Sequence, residues 1–94
     1  MNEEIEFIRR IVKRHLDTRK HRVFIFGSRA QGLSSRFSDY DLGIEGERLP
    51  AEVYLDLVSD FEESDFPFRV DVVEFRDVSE AFKKVAKQNT IKIV

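Results

Sequence analysis

The stretch that decides the fold reads VFIFGSRAQG from Val23 to Gly32 and, after a short loop, SDYDL from Ser38 to Leu42. An apolar run ends at a glycine-serine turn, and the loop then leads to two aspartates one residue apart. Side chains two positions apart on a strand point to the same face, so Asp39 and Asp41 are neighbours if they lie on a strand. Because adjacent carboxylates repel unless a cation or a proton neutralises them, the stretch predicts a divalent-metal site beside a phosphate-binding turn.

The length and composition predict one small folded domain covering residues 1–94. Hydrophobic residues make up 41% and aromatic residues 12% of the chain, which is enough for a packed core. The net charge of -2, from 16 basic and 18 acidic residues, argues against a protein that coats nucleic acid, and we expect no direct nucleic-acid partner. A nucleotide could still bind where basic groups or a metal cluster locally.

The absence of cysteine excludes disulfides and thiolate-bound zinc. The first residues lack the pattern of a signal peptide, and no apolar run approaches the roughly 20 residues that a membrane span needs. We therefore expect a soluble cytoplasmic protein without a membrane partner.

Hydrophobic periodicity predicts an α/β (α+β) domain, with a mixed sheet of about four strands flanked by helices. The element order is α-β-β-α-β-α-β. The predicted helices cover residues 3–17, Pro50 to about Glu63 with Pro50 at the first helical position, and a short helix with Asp77 as N-cap and Glu80 completing a capping box; the predicted strands cover residues 22–26, 39–44, 68–75 and 90–94. Residues 22–26 are apolar on both faces, which indicates a central strand.

Two of these strands have faces that differ in polarity. Asp39, Asp41 and Gly43 share a face predicted to be polar, opposite an apolar one. On the third strand Asp71 lies between valines in a largely apolar run. Because buried charges are rare unless they are paired or bind metal, Asp71 is the third carboxylate of interest.

Each part alone has an ordinary explanation. Gly27-Ser28 could be a plain turn, the aspartate pair could cap or end a strand, and Asp71 could be exposed on an edge strand. Together they are the parts of a two-metal phosphoryl or nucleotidyl transfer site. Oxygen ligands favour Mg²⁺ or Mn²⁺ over zinc.

The motifs Gly27-Ser28-Arg29-Ala30-Gln31-Gly32, Ser38-Asp39-Tyr40-Asp41-Leu42 and Val70-Asp71-Val72-Val73 resemble those of the nucleotidyltransferase superfamily related to DNA polymerase beta. The chain is similar, over nearly its whole length, to the minimal nucleotidyltransferases, which are reduced to the catalytic core. The resemblance implies the nucleotidyltransferase fold, with ATP as substrate and two Mg²⁺ ions as cofactors.

The resemblance also implies roles for single residues. Gly27 and Ser28 would hold the terminal phosphates, and Asp39 and Asp41 would ligate both metals. Asp71 would ligate the catalytic metal and help to deprotonate the acceptor. Arg29 and Arg36 could neutralise triphosphate charge, although both could equally be surface arginines.

Minimal nucleotidyltransferases pair with small helical HEPN-domain proteins in toxin–antitoxin systems. The resemblance therefore implies a hetero-oligomer in which the antitoxin transfers AMP to a tyrosine hydroxyl of the HEPN toxin. Two alternatives stay open: a non-catalytic subunit that neutralises the toxin by binding alone, and a transferase acting on a small molecule.

Overall fold

A computed structural model describes residues 2–33 and 38–94 of the chain. The elements follow in the order α1 (Asn2–His15), β1 (His21–Phe26), α2 (Ser28–Gln31), β2 (Tyr40–Gly46), α3 (Ala51–Glu63), β3 (Val70–Glu74), a 3-10 turn (Phe75–Asp77), α4 (Glu80–Ala86) and β4 (Ile91–Lys92). No helix in the described ranges has the length and apolar character needed to cross a membrane.

The strands form one mixed sheet in the order β3-β2-β1-β4. Strand β1 runs antiparallel to both β2 and β4, whereas β2 and β3 are parallel. The predicted mixed four-stranded sheet flanked by helices is therefore confirmed. The parallel pair needs a long crossover, and α3 supplies it.

One face of the sheet carries the main core. Helices α1 and α3 cover this face because each presents an apolar stripe to it. The residues buried there include Ile8 and Val12 of α1, Leu57 and Phe61 of α3, Val23 and Ile25 of β1, and Leu42 and Ile44 of β2. Burial of such side chains is worth about 1.5–3 kcal/mol each, so this layer contributes most of the hydrophobic stabilisation.

The other face carries a smaller aromatic core. Phe24, Phe26 and Phe75 form it, with Phe75 edge-on to the other two rings at 4.9 and 5.1 Å. Helix α4 closes the layer only partly, since its Phe82 contacts two of the rings but is still 43% exposed. Strand β1 is thus covered on both faces, as the continuous apolar run predicts.

The aromatic core corrects one prediction about β2. The face shared by Asp41 and Gly43 is polar only near Asp41, because Gly43 is buried under Phe24 and Phe75. The pattern of alternation cannot show this, since a glycine is compatible with either environment.

Most predicted element ends differ by one or two residues from those observed, and three of these differences bear on the site or on helix capping. Strand β2 begins at Tyr40, so Asp39 immediately precedes it. Pro50 is the N-cap of α3 rather than its first residue. The N-cap of α4 is Ser79, whose side chain accepts a hydrogen bond from the Phe82 amide, whereas Asp77 ends the 3-10 turn. The extra turn after β3 displaces the cap by two residues, so the predicted capping box is wrong.

Gly43→Ala tests how tightly the aromatic core contacts β2. A Cβ atom at Gly43 would lie 2.6 Å from Phe24 Cε2 and 2.8 Å from Phe75 Cε1. We expect urea denaturation to show a loss of about 1–3 kcal/mol in the free energy of unfolding. The loss should shrink in a Phe24→Leu background, where space is available. An equal loss in both backgrounds would contradict this packing.

Candidate active site

The centre of the candidate site is a pair of carboxylates on adjacent strands. Asp41 of β2 is in register with Asp71 of β3. Register partners on parallel strands point to the same face, and neighbouring strands lie about 4.8 Å apart. The fold therefore brings these two aspartates next to each other on one face of the sheet.

A glycine turn lies directly against Asp41. Gly27 follows β1 with a φ of 74° and precedes α2, and Phe26 beside it is in register with Asp41. A side chain at Gly27 would overlap the Asp41 carboxylate. Both the positive φ and this close approach require glycine. The turn and the carboxylate thus form one continuous surface, and Ser28 begins α2 at its edge.

Of the two aspartates, Asp71 forms an ion pair with Arg69, whereas the surroundings of Asp41 disfavour its charge. Burial raises the pKa of Asp41, and the charges of Asp71 and then Asp39 raise it further. Within residues 2–33 and 38–94, no basic side chain forms an ion pair with Asp41. A half-buried carboxylate flanked by two others is a suitable donor set for a hard divalent cation. In its chemistry, the site fits Mg²⁺ or Mn²⁺.

Asp39 is the third carboxylate of the set, and it is more exposed than Asp41 and Asp71. It precedes β2, and its charge acts on Asp41. In the part of the chain that the structure describes, no three His, Cys, Asp or Glu side chains are gathered in metal-ligand geometry. The three aspartates adjoin without converging on one point.

Arg69 is a charged residue at the site that sequence reasoning did not single out. Its Nε donates to Asp71 Oδ1 at 3.1 Å, and its side chain is 75% exposed. Arg69 lies two residues before Asp71, so the two share a face of the strand predicted over residues 68–75, and this spacing could have identified Arg69 from the sequence. In the structure Arg69 immediately precedes β3. An exposed guanidinium beside the carboxylates can bind an anionic ligand.

Two arginines, Arg29 and Arg36, were predicted to neutralise triphosphate charge. Arg36 lies outside the described residues. Arg29 of α2 directs Nε and Nη2 to the carbonyl oxygen of Ser38, at 3.2 and 2.7 Å. Arg29 thus donates to a backbone carbonyl of its own chain, whereas its predicted role is to bind phosphate.

The sequence matches one family over almost its whole length. The family described as nucleotidyltransferase domain matches residues 5–93. The chain is also 31% identical over 88 residues to the probable protein adenylyltransferase MntA of Haemophilus influenzae. That alignment covers 93% of this chain and 75% of the relative.

Solved structures match the fold as well. A crystal structure of a toxin-antitoxin with AMP-PNP superimposes with a TM-score of 0.75 at 20% identity, covering 100% of this chain and 73% of that one. The tri-AMPylated Shewanella oneidensis HEPN toxin in complex with MNT antitoxin matches with a TM-score of 0.73 at 15% identity, covering 99% and 71%. At these identities the likeness confirms the predicted nucleotidyltransferase fold.

The charge of Asp41 predicts a pH-dependent cost to stability. The pKa of Asp41 in the folded state is raised above its ordinary value of 3.8. At pH values between the unfolded and the folded pKa, the folded state therefore binds more protons than the unfolded state. Stability is therefore lost towards neutral pH. In EDTA we expect Asp41→Asn to be more stable than wild type at pH 7, and urea titrations should show the difference fading near pH 4.

The matched control for this measurement is Asp56→Asn, on the exposed surface of α3. Its stability relative to wild type should not change over the same pH range. A constant difference for Asp41→Asn as well would contradict a pKa of Asp41 raised by burial and by the charges of Asp71 and Asp39.

Proposed function

The chain belongs to the nucleotidyltransferase domain family, and we propose that it transfers AMP from ATP to a hydroxyl group of a partner HEPN toxin, acting as its antitoxin. The observation that carries the proposal is the register of Asp41 with Asp71 beside the Gly27 turn. It supports the proposal because carboxylates, which are suitable ligands for a divalent cation, lie next to a glycine turn that a phosphate can approach closely. The MntA relative is named a probable protein adenylyltransferase, which supports AMP transfer to a protein.

We assign the carboxylates to metal binding and to proton transfer. Asp39 and Asp41 would hold two Mg²⁺ ions, with Mn²⁺ as a substitute, and Asp71 would contribute to one of them. Bound cations neutralise triphosphate charge and lower the pKa of the acceptor hydroxyl. Gly27 and Ser28 would bind the terminal phosphates through backbone amides and the serine hydroxyl.

The proposed reaction forms an ester between the acceptor oxygen and the α-phosphorus of ATP. The bond from that phosphorus to the bridging oxygen breaks, and pyrophosphate leaves. The acceptor proton moves to Asp71, whose Oδ1 already accepts from Arg69, so Oδ2 is the oxygen assigned to receive it. Atoms and charge balance with pyrophosphate as the leaving group.

The acceptor can approach along the outer edge of the sheet. A groove of about 660 Å³ runs between α3 and β3, and Asp71, Tyr54 and Phe68 are among its lining residues. An aromatic acceptor such as tyrosine suits a groove lined in part by rings. We therefore propose a protein tyrosine as the acceptor.

The partner assignment rests on the solved relatives. One of them is an AMPylated HEPN toxin in complex with its antitoxin. We propose that this chain forms a corresponding hetero-oligomer. We place the pair in the cytoplasm, where ATP is available and a cysteine-free chain needs no oxidising compartment.

Asparagine substitutions test the catalytic assignment. Each of Asp39→Asn, Asp41→Asn and Asp71→Asn should lower the initial rate of AMP transfer about 100-fold or more, because each removes a negative ligand that the transition state needs. The measurement follows ATP labelled at the α-phosphate into the co-purified partner, with Mg²⁺ present. Asp56→Asn should transfer at the wild-type rate. Unchanged rates for all three site variants would contradict the assignment.

Asp71→Asn also separates catalysis from neutralisation by binding. Co-expression with the partner toxin at matched protein levels should leave cells unprotected, since the variant keeps the surface but loses transfer. Intact mass spectrometry of the toxin should show no added AMP. Full protection without AMP would mean that complex formation suffices, and the antitoxin role would then not depend on transfer.

A further inference from the structure

We propose that Arg29 is a positioning residue that fixes Asp39 at the site by holding the carbonyl of the residue before it. This inference rests on the proposed function, because the placement of Asp39 matters only if its carboxylate binds the nucleotide's cations. It assigns Arg29 a different role from the neutralisation of phosphate charge that the sequence motif indicates.

The guanidinium is bound to the protein along one edge. Nε and Nη2 both donate to Ser38 O, at 3.2 and 2.7 Å. The side chain of Arg29 is only 12% exposed. A charge with so little contact with water is retained only where partners compensate for its lost hydration. The Ser38 carbonyl is such a partner.

Two aromatic rings flank the same group. The guanidinium carbon lies 4.3 Å from the ring centre of Tyr40 and 4.6 Å from that of Phe68. Glu4 of α1 adds a carboxylate 3.9 Å from Nη1 and accepts the hydroxyl hydrogen of Tyr40. The planar group is thus fixed by stacking and by charge.

Asp39 lies between two fixed backbone positions. Arg29 holds the carbonyl of Ser38 on one side of it. On the other side, the Tyr40 amide donates to Arg69 O at 2.9 Å. Asp39 itself is exposed, so its own side chain contributes little packing to its placement. Its neighbours therefore determine where its carboxylate stands relative to Asp41.

These contacts distinguish Arg29 from a phosphate ligand. A guanidinium that turned towards a triphosphate would give up the Ser38 carbonyl and both rings. Arg69, which is 75% exposed, is the better placed arginine for an incoming anion. A positioning arginine should affect cation binding, whereas a phosphate ligand should affect the affinity for ATP.

The test compares Arg29→Lys and Arg29→Met with Gln31→Ala. Lysine keeps the charge but lacks the planar fork, and methionine also removes the charge. Gln31→Ala is the matched control, since it truncates an exposed side chain of the same short helix α2 and keeps every contact of Arg29. Amide hydrogen exchange by NMR, on metal-free protein without nucleotide, follows residue 40, with the amide of Leu42 in mid-strand as internal reference.

We expect the residue 40 amide to exchange about tenfold faster in both Arg29 variants, with Leu42 unchanged relative to wild type. With the partner present, half-maximal AMP transfer should need about tenfold more Mg²⁺. The KM for ATP at saturating Mg²⁺ should change less than twofold. Gln31→Ala should match wild type in all three measurements. Arg29→Lys should resemble Arg29→Met rather than wild type, because lysine cannot replace the two donors to Ser38 O.

Two results would overturn the proposal. One is a tenfold higher KM for ATP with unchanged Mg²⁺ dependence, which would make Arg29 a phosphate ligand. The other is unchanged exchange at residue 40. If wild type transfers no AMP, the proposed function fails, and the exchange measurement alone still decides whether Arg29 holds the Asp39 segment.

Discussion

The repulsion between Asp41 and Asp71 is the constraint on which the rest of the structure depends. The parallel pairing of β2 and β3 places these side chains side by side on one face. Hydrophobic burial elsewhere must offset this repulsion, since burial and like charge both raise the pKa of Asp41. In the function that we propose, bound cations would relieve this repulsion. Under that proposal, stability and function are opposed at this point of the fold.

The two faces of the sheet divide these tasks. Helices α1 and α3 bury one face, and their core stabilises the sheet in which Asp41 and Asp71 are in register. On the opposite face, the buried phenylalanines among the described residues are Phe24, Phe26 and Phe75, with the partly exposed Phe82 packed against them. Asp41 and Gly43 share this face of β2, so the carboxylates lie on the side of the sheet opposite helices α1 and α3. Under the function that we propose, the nucleotide would bind on this side.

Parity and hydrophobic pattern were sufficient to predict the mixed sheet and to single out Asp41 and Asp71 on it, whereas Asp39 immediately precedes β2. An aspartate between valines indicated that Asp71 belonged with Asp41, and the register confirms that they adjoin. The Arg29 contacts were not predictable, because they join a helix to a loop carbonyl and depend on the path of the chain between them. The N-cap of α4 was missed for a similar reason, since a 3-10 turn after β3 is not visible in a periodic pattern. Local periodicity thus determines elements and faces, whereas side-chain contacts with distant backbone require the folded chain.

We propose that Asp39, Asp41 and Asp71 together bind the cations of a nucleotide. The most direct test is a crystal grown with Mn²⁺ and a non-hydrolysable ATP analogue, measured at a wavelength where manganese scatters anomalously. We expect anomalous peaks about 2.0–2.3 Å from oxygens of Asp39 and Asp41, with Asp71 coordinating one of the two ions and the triphosphate against the Gly27 turn. Manganese or triphosphate bound elsewhere on the protein, with these three carboxylates uncoordinated, would contradict it.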